Sequence, residues 1–270
     1  MTGEEAVRLA VDALRRRPSI VVTDFDGTLS EIVPDPGQAR LVPGAREALT
    51  ALRDRVDVVC VVSGRGLADV RHRVGIDGLV YAGNHGLEWH GLPGAPDGSE
   101  ATAAHLELAP LVPALQSALG GLPGVWIEDK GLTLTIHFRG AGDAAETARA
   151  VWERASRAVG QGYRLRAGRL AVEIVPEALT GKERFVQRVI SATGAQGIVA
   201  LGDDVSDLEL LRLVRRRAAA GLPGLAVGVR SDEAPPGLAD ASDVLLDGPL
   251  AAAEWLLRVA SALRDEPVPS

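Results

Sequence analysis

Two short apolar runs, Ile20-Val21-Val22-Thr23 and Ile198-Val199-Ala200-Leu201, each end on a cluster of aspartates, and this repeated ending constrains the fold more than any other feature of the chain. A run that is apolar at every position, rather than at every second one, reads as a strand covered on both faces. Strands of that kind belong to parallel sheets packed between helices. The segments around them fit the same scheme. Residues 4–17 have helical periodicity with Arg15-Arg16-Arg17 at the end and Pro18 closing it. Helical 43–53, strand-like 56–62, helical 67–74 and strand-like 79–82 follow, and from Gly181 the alternation resumes with helix 182–192, strand 198–201, helix 206–216, strands 225–229 and 244–246, and helix 250–263.

Between these halves the pattern changes. Residues 91–99 are rich in Gly, Pro and Ser and read as a linker. A helical stretch, 101–119, then leads to strands 125–128 and 132–138, and helix 144–159 leads to strands 163–166 and 169–175 across Ala167-Gly168. The strand from 132 alternates apolar and polar positions, as a half-exposed antiparallel strand does. The expected organisation is a split α/β parallel-sheet core, 1–102 and 179–270, with an inserted α+β domain at 103–178.

Composition narrows the partners. The 270 residues carry a net charge of -7, with Arg scattered rather than striped, so nothing marks a nucleic-acid or anionic membrane surface. No apolar stretch is long enough to span a bilayer, and the acidic start lacks a signal-peptide profile. The lone Cys60 allows no internal disulfide and sits in an apolar strand, which favours a core role and a reducing, cytoplasmic setting. Only two of 29 cationic side chains are Lys, at 130 and 182, although ammonium and guanidinium are not interchangeable.

The chemistry lies where the strands end, the functional edge of a parallel sheet. The first ends in Asp24-Phe25-Asp26-Gly27-Thr28-Leu29 and the second in Gly202-Asp203-Asp204-Val205-Ser206-Asp207. Each alone has an ordinary reading, as an Asp-Gly turn or a helix N-terminal acid. Brought together, Asp24, Asp26, Asp203, Asp204 and Asp207 would repel one another without a cation, and hard oxygen ligands without His or Cys select Mg²⁺. Ser63 and Lys182, each beside a glycine, supply a hydroxyl and an ammonium suited to phosphoryl oxygens. A dinucleotide site at Gly64-Arg65-Gly66 fails for want of the third glycine, and Pro176 stands where a phosphate-binding loop before Lys182 would need its first glycine.

In that order, Asp24-x-Asp26-Gly27-Thr28-Leu29, Ser63, Lys182 and Gly202-Asp203-x-x-x-Asp207 resemble the four motifs of the haloacid dehalogenase (HAD) superfamily. The insertion resembles its type-2 (C2B) cap on a Rossmannoid core. The resemblance implies that Asp24 attacks phosphorus, that Asp26 serves as acid and then base, that Ser63 and Lys182 bind the phosphoryl group, and that Mg²⁺ is held by Asp24, the Asp26 carbonyl and Asp203 with Asp204 or Asp207 in support. Further segments, Ser63-Gly64-Arg65, Gly83-Asn84-His85-Gly86, Glu128-Asp129-Lys130, His137-Phe138-Arg139 and Gly168-Arg169-x-x-x-Glu173, are similar to the trehalose-6-phosphate phosphatase family. By that resemblance Arg65, Asn84, His85, Lys130, His137, Arg139, Arg169 and Glu173 are the substrate-binding candidates, and the partner is a small sugar phosphate as substrate; a monomer is expected. Ser206-Asp207-Leu208 and Phe138 depart from the family's usual Thr-Asp-Glu and Tyr.

Alternatives at this stage are a phosphatase of a related disaccharide or pseudo-disaccharide phosphate, such as a validoxylamine-type or sucrose phosphate, a phosphomannomutase-like phosphomutase, and a non-catalytic sugar-phosphate sensor. His72, His90 and His105 receive no role, and Trp89, Trp126, Trp152 and Trp255 are expected to pack.

Overall fold

A computed structural model describes residues 3–99, 108–130, 133–168, 170–176, 181–231 and 234–264. The chain divides into two compact units, Met1–Gly98 with Gly181–Ser270, and Ser99–Thr180.

The first unit begins with α1 (Gly3–Leu14), β1 (Ser19–Thr23), α2 (Ala45–Arg53), β2 (Val58–Val62), α3 (Leu67–Val74), β3 (Val80–Gly83), β4 (Glu88–His90) and β5 (Gly98–Ser99). The second unit holds α4 (Leu111–Leu119), β6 (Trp126–Asp129), β7 (Leu134–His137), α5 (Ala144–Val159), β8 (Tyr163–Gly168) and β9 (Ala171–Pro176). The first unit resumes with α6 (Lys182–Thr193), β10 (Gly197–Gly202), α7 (Leu208–Ala219), β11 (Gly224–Arg230), α8 (Leu238–Ala241), β12 (Val244–Asp247) and α9 (Gly248–Ala262).

Its sheet has the order β12-β11-β10-β1-β2-β3-β4-β5, parallel from β12 through β3 and turned antiparallel at β4. The all-apolar strands are sorted residue by residue. Val21, Val59, Val61, Val199, Leu201 and Val227 join one core with α1, α2 and α9, whereas Ile20, Val22, Cys60, Val62, Ile198, Ala200 and Ala226 join the other with α6 and α7. The period of two therefore survives in which face each residue feeds, even where the sequence shows no polarity contrast. Because β1 lies between β10 and β2, the three chain ends that carry Asp24, Asp203 and Ser63 emerge side by side.

The second unit is a four-stranded antiparallel sheet, β6-β7-β9-β8, with one face against α4 and α5. Leu134, Ile136, Val172 and Ile174 point into that core with Leu115, Val151, Ala155 and Val159. The intervening positions, Thr135, His137 and Glu173, take the opposite face.

Several sequence expectations shift. The first helix stops at Leu14. Arg17 instead donates from Nη2 to Asp57 Oδ1 at 2.9 Å, and Arg15-Arg16-Arg17 lies beyond the last helical turn. The expected linker contains β5, because Gly98 lies against the Trp89 indole, where any Cβ would sit 2.1 Å from the ring. Ala167-Gly168, expected as the turn of the second hairpin, belong to β8, which runs through to Gly168, and β9 begins at Ala171. Of the expected helix 101–119, residues 101–107 lie outside the described residues.

Candidate active site

β1 and β10 end one residue before Asp24 and Asp203, and the ladder continues into the site through Asp24 N donating to Leu201 O at 3.1 Å. The carboxylates of Asp24, Asp203 and Asp207 converge, with oxygens all within 4.8 Å of one another, and all three residues are buried. Two glycines make room. Gly27 has φ +78°, and a Cβ there would lie 2.0 Å from Asp203 Oδ2; a Cβ on Gly202 would lie 2.3 Å from Asp207 Cγ. No side chain fits where these carboxylates stand. Thr28 Oγ1 donates to Asp203 Oδ1 at 2.9 Å, and the backbone N–H groups of Asp203 and Asp204 donate to Asp207 Oδ2 at 3.3 and 3.2 Å.

Lys182 opens α6 and is 2% exposed. Its Nζ lies 2.8 Å from Asp24 Oδ1 and 2.8 Å from Asp207 Oδ1. Burial alone would lower the pKa of this ammonium, but Asp207 and Asp24 outweigh burial and push it up. One cation does not neutralise three carboxylates. Burial, with the charge of Asp207 and of Asp26 added and Lys182 opposing, raises Asp24 to about 7. Burial and the charges of Asp24 and Asp207 raise Asp203 to about 9, again against Lys182. Carboxylates that are costly to ionise together, all hard oxygen donors in a cradle cleared by glycines, form a site that a divalent cation fits.

Asp26 goes elsewhere. Arg65 Nε donates to its Oδ2 at 2.6 Å and Nη2 to its Oδ1 at 2.7 Å, while Nη1 reaches Asp69 Oδ2 at 2.8 Å. The guanidinium also lies 5.4 Å over the Phe25 ring. Arg65, expected to touch substrate, is here committed to two carboxylates in the paired geometry that a planar fork favours. Ser63 is 1% exposed, and its Oγ accepts from Arg65 N at 3.1 Å. Asn84 and His85 are buried on consecutive left-handed residues, φ 49° and 57°, with His85 N donating to Ser63 O at 2.9 Å and Asn84 Nδ2 to Glu88 Oε2 at 3.0 Å.

Asp204 and Asp207, left open as alternatives by the sequence, differ in place. Asp204 is exposed, and its carboxylate accepts from Val205 N at the start of a 3₁₀ turn, so it stands outside the acidic cluster. Of the two late acids proposed to support a cation, the geometry gathers in Asp207.

In the second unit, Glu128 Oε2 lies 2.8 Å from His137 Nε2 and 3.8 Å from Lys130 Nζ. Glu173 pairs across the sheet with Thr135 on one side and Arg166 on the other. Arg139 is exposed in the turn after β7, and Arg169 lies outside the described residues.

The sequence model of a family described as trehalose-phosphatase matches residues 22–236. The chain belongs to the trehalose-phosphatase family. Its resemblance to that family extends to a trehalose-phosphate phosphatase of Mycobacterium avium, 40% identical over 97% of this chain and 67% of that protein, and to one of Mycobacterium leprae, 36% identical over 94% and 60%. The chain thus spans about two thirds of the length of these relatives. The fold matches that of a Candida albicans trehalose-6-phosphate phosphatase C-terminal domain at a TM-score of 0.77, with 97% of each chain covered at 19% identity. As a trehalose-phosphatase family member the chain is a phosphatase, and no helix among its described residues is long and apolar enough to cross a membrane.

Two residues have surroundings that the sequence reading did not anticipate. One is Asp69, the second carboxylate on Arg65, whose i,i+4 spacing from Arg65 on α3 was the available signal. The other is Trp126, expected to pack but 55% exposed and stacked on His137 with ring centroids 4.1 Å apart and planes at 18°. Its signal was register: it shares parity with Glu128 and Lys130, the polar positions of β6 and its turn.

Proposed function

We propose that the chain hydrolyses trehalose 6-phosphate to trehalose and inorganic phosphate by way of a phosphorylated Asp24. The observation that carries this reading is the buried Asp24–Lys182–Asp207 array beside Asp203, in a chain of the trehalose-phosphatase family. An oxygen of Asp24 attacks phosphorus, the bond from phosphorus to the sugar oxygen breaks, and Asp26 gives that oxygen its proton. Water then attacks the aspartyl phosphate, Asp26 takes the proton, and phosphate departs with Asp24 regenerated. Lys182 holds Asp24 Oδ1 in place, so the nucleophile needs no reorganisation before attack. Ser63 and Lys182 bind the phosphoryl oxygens.

A Mg²⁺ ion held by Asp24, Asp203 and Asp207 would neutralise phosphoryl charge and keep Asp24 ionised near neutral pH. Arg65 donates to both carboxylate oxygens of Asp26, so this two-pronged grip must loosen to free one oxygen for the proton that Asp26 passes on. Lys130, His137, Arg139, Arg169 and Glu173, with Asn84 and His85, are assigned to the sugar, whose hydroxyls are read well by charged and amide groups.

Phosphate release from a panel of sugar phosphates tests the reading. The expected result is preferential turnover of trehalose 6-phosphate that stops with chelator and returns with Mg²⁺. Turnover that survives chelation would sink the metal assignment, preference for a sucrose or validoxylamine-type phosphate would move the substrate, and transfer of phosphate between sugar positions without release would indicate a mutase.

A further inference from the structure

Trp126 occupies a place where an indole is costly. It sits on β6, an edge strand, on the sheet face opposite the core packed by α4 and α5, and is 55% exposed. One ring face is taken by His137 at 4.1 Å, and His137 is itself fixed by Glu128 at 2.8 Å. What stays open is a rigid, flat apolar surface among polar neighbours, the arrangement of a ligand platform rather than of a packing residue.

The rest of the same face points to the ligand's chemistry. Glu128, Thr135, Glu173 and Arg166 form one row across all four strands, and Trp126 and His137 begin the next. Thr133 Oγ1, Thr135 Oγ1 and Arg166 Nη1 are buried with no hydrogen-bond partner among the described residues. Thr133 is 0% exposed and Thr135 5%. Solvent does not reach those three atoms, and the polar groups that a hydroxyl-rich ligand meets on this face are the partly exposed Glu128, Lys130, His137 and Glu173. From Trp126 to Lys130 is four residue steps, about 13 Å at the rise of a strand. That strip is longer than one pyranose ring and suits two linked rings, with a cation at one end and an aromatic surface at the other.

We infer that Trp126 is a specificity-determining residue, stacking its open indole face on the C–H face of a pyranose ring so that the sheet selects a phosphorylated disaccharide over a hexose phosphate. This rests on the proposed sugar-phosphatase reading and adds a residue that the motifs do not mark. Trp126→Ala and Trp126→Phe are compared with the parent protein on trehalose 6-phosphate and on glucose 6-phosphate, the latter as substrate or competitive inhibitor. The expected result for Trp126→Ala is a KM for trehalose 6-phosphate raised about tenfold with kcat within twofold. The constant for glucose 6-phosphate should not move, and Trp126→Phe should recover most of the loss. A loss shared equally by both ligands, a fall in kcat alone, or no change would overturn the assignment.

A second measurement does not depend on turnover. In an Asp24→Asn background, trehalose 6-phosphate should perturb the emission of Trp126, and Trp126→Phe should remove that response. Should the parent protein turn over no disaccharide phosphate, the functional reading fails. The stacking assignment then falls separately if trehalose 6-phosphate and sucrose 6-phosphate both leave the emission unchanged.

Discussion

The two units handle charge in opposite ways. In the first, Asp24, Asp203, Asp207 and Lys182 are nearly or wholly buried and locked to one another and to backbone N–H groups. In the second, Glu128, Lys130 and His137 are only partly buried on an antiparallel sheet face, and the short Glu128–His137 contact has Lys130 at the looser distance of 3.8 Å. Buried charges gain strength and fixed geometry from a low-dielectric surrounding, at a desolvation cost that only mutual pairing offsets. Partly exposed charges cost little and can adjust to a ligand. Chemistry on phosphorus needs the first kind of site, and recognition of a hydroxylated ligand tolerates the second. Substitutions in the two units should therefore fail differently.

The largest effect is expected at Asp24. Asp24→Asn removes the nucleophile while keeping its shape, so turnover should fall by at least roughly four orders of magnitude. Replacing an ionisable, buried carboxyl by an amide should leave the urea midpoint close to that of the parent protein. A variant that stays active would mean that Asp24 is not the attacking group and that the contrast between the units is not one of chemistry against recognition.

Next comes Lys182→Met, which leaves Asp24 and Asp207 buried without their cation. The expected cost is about 3–5 kcal/mol of folding stability, read by urea unfolding in chelator, together with loss of turnover. The stability cost should shrink when Mg²⁺ is added, since a bound cation replaces the missing charge. Equal destabilisation with and without Mg²⁺ would count against a cation at these carboxylates.

Glu173→Ala tests the other side of the comparison. Its kcat/KM for trehalose 6-phosphate should drop by about one to two orders of magnitude, the worth of a charged hydrogen bond at 1.5–3 kcal/mol. The drop should be larger for trehalose 6-phosphate than for a small phosphate ester that offers no second sugar. Parallel losses on both would place Glu173 in the chemistry instead.

How far the sequence carried differs along the same line. Parallel strands, their order of appearance and the aspartates at their ends were legible because uninterrupted apolar runs and Asp clusters are local signals. The site's cradle was not, since only three-dimensional placement reveals that Gly27 and Gly202 face Asp203 and Asp207 across the site. Arg65 looked like a ligand group because its partner Asp26 is 39 residues away in the chain. In the second unit, strand ends slipped by one to two residues: the strand expected over 163–166 runs on to Gly168, and the one after it begins at Ala171. Trp126 was misjudged for another reason. Its apolar neighbours Val125 and Ile127 argued for packing, but in a strand the informative neighbours are two residues away, and those are Gly124 and Glu128.

The smallest effect is expected at Asp204, and it discriminates between the two late acids. Asp204 is exposed and accepts a hydrogen bond from Val205 N, whereas Asp207 is 0% exposed and holds Lys182. The grip of Asp207 on the 203–204 backbone uses N–H groups that any residue at 204 supplies. Asp204→Ala should therefore cost only the worth of a lost cap, about 0.5–2 kcal/mol in urea unfolding, and leave kcat/KM and the Mg²⁺ concentration for half-activation within a few-fold of the parent values. Asp207→Ala should lose turnover, because it strips Lys182 of one of its two carboxylates and the acidic cluster of one of its three. If Asp204→Ala instead raised the Mg²⁺ requirement by an order of magnitude or more, an exposed acid would be supporting the cation, and burial would no longer separate the residues that do chemistry from those that only shape the chain.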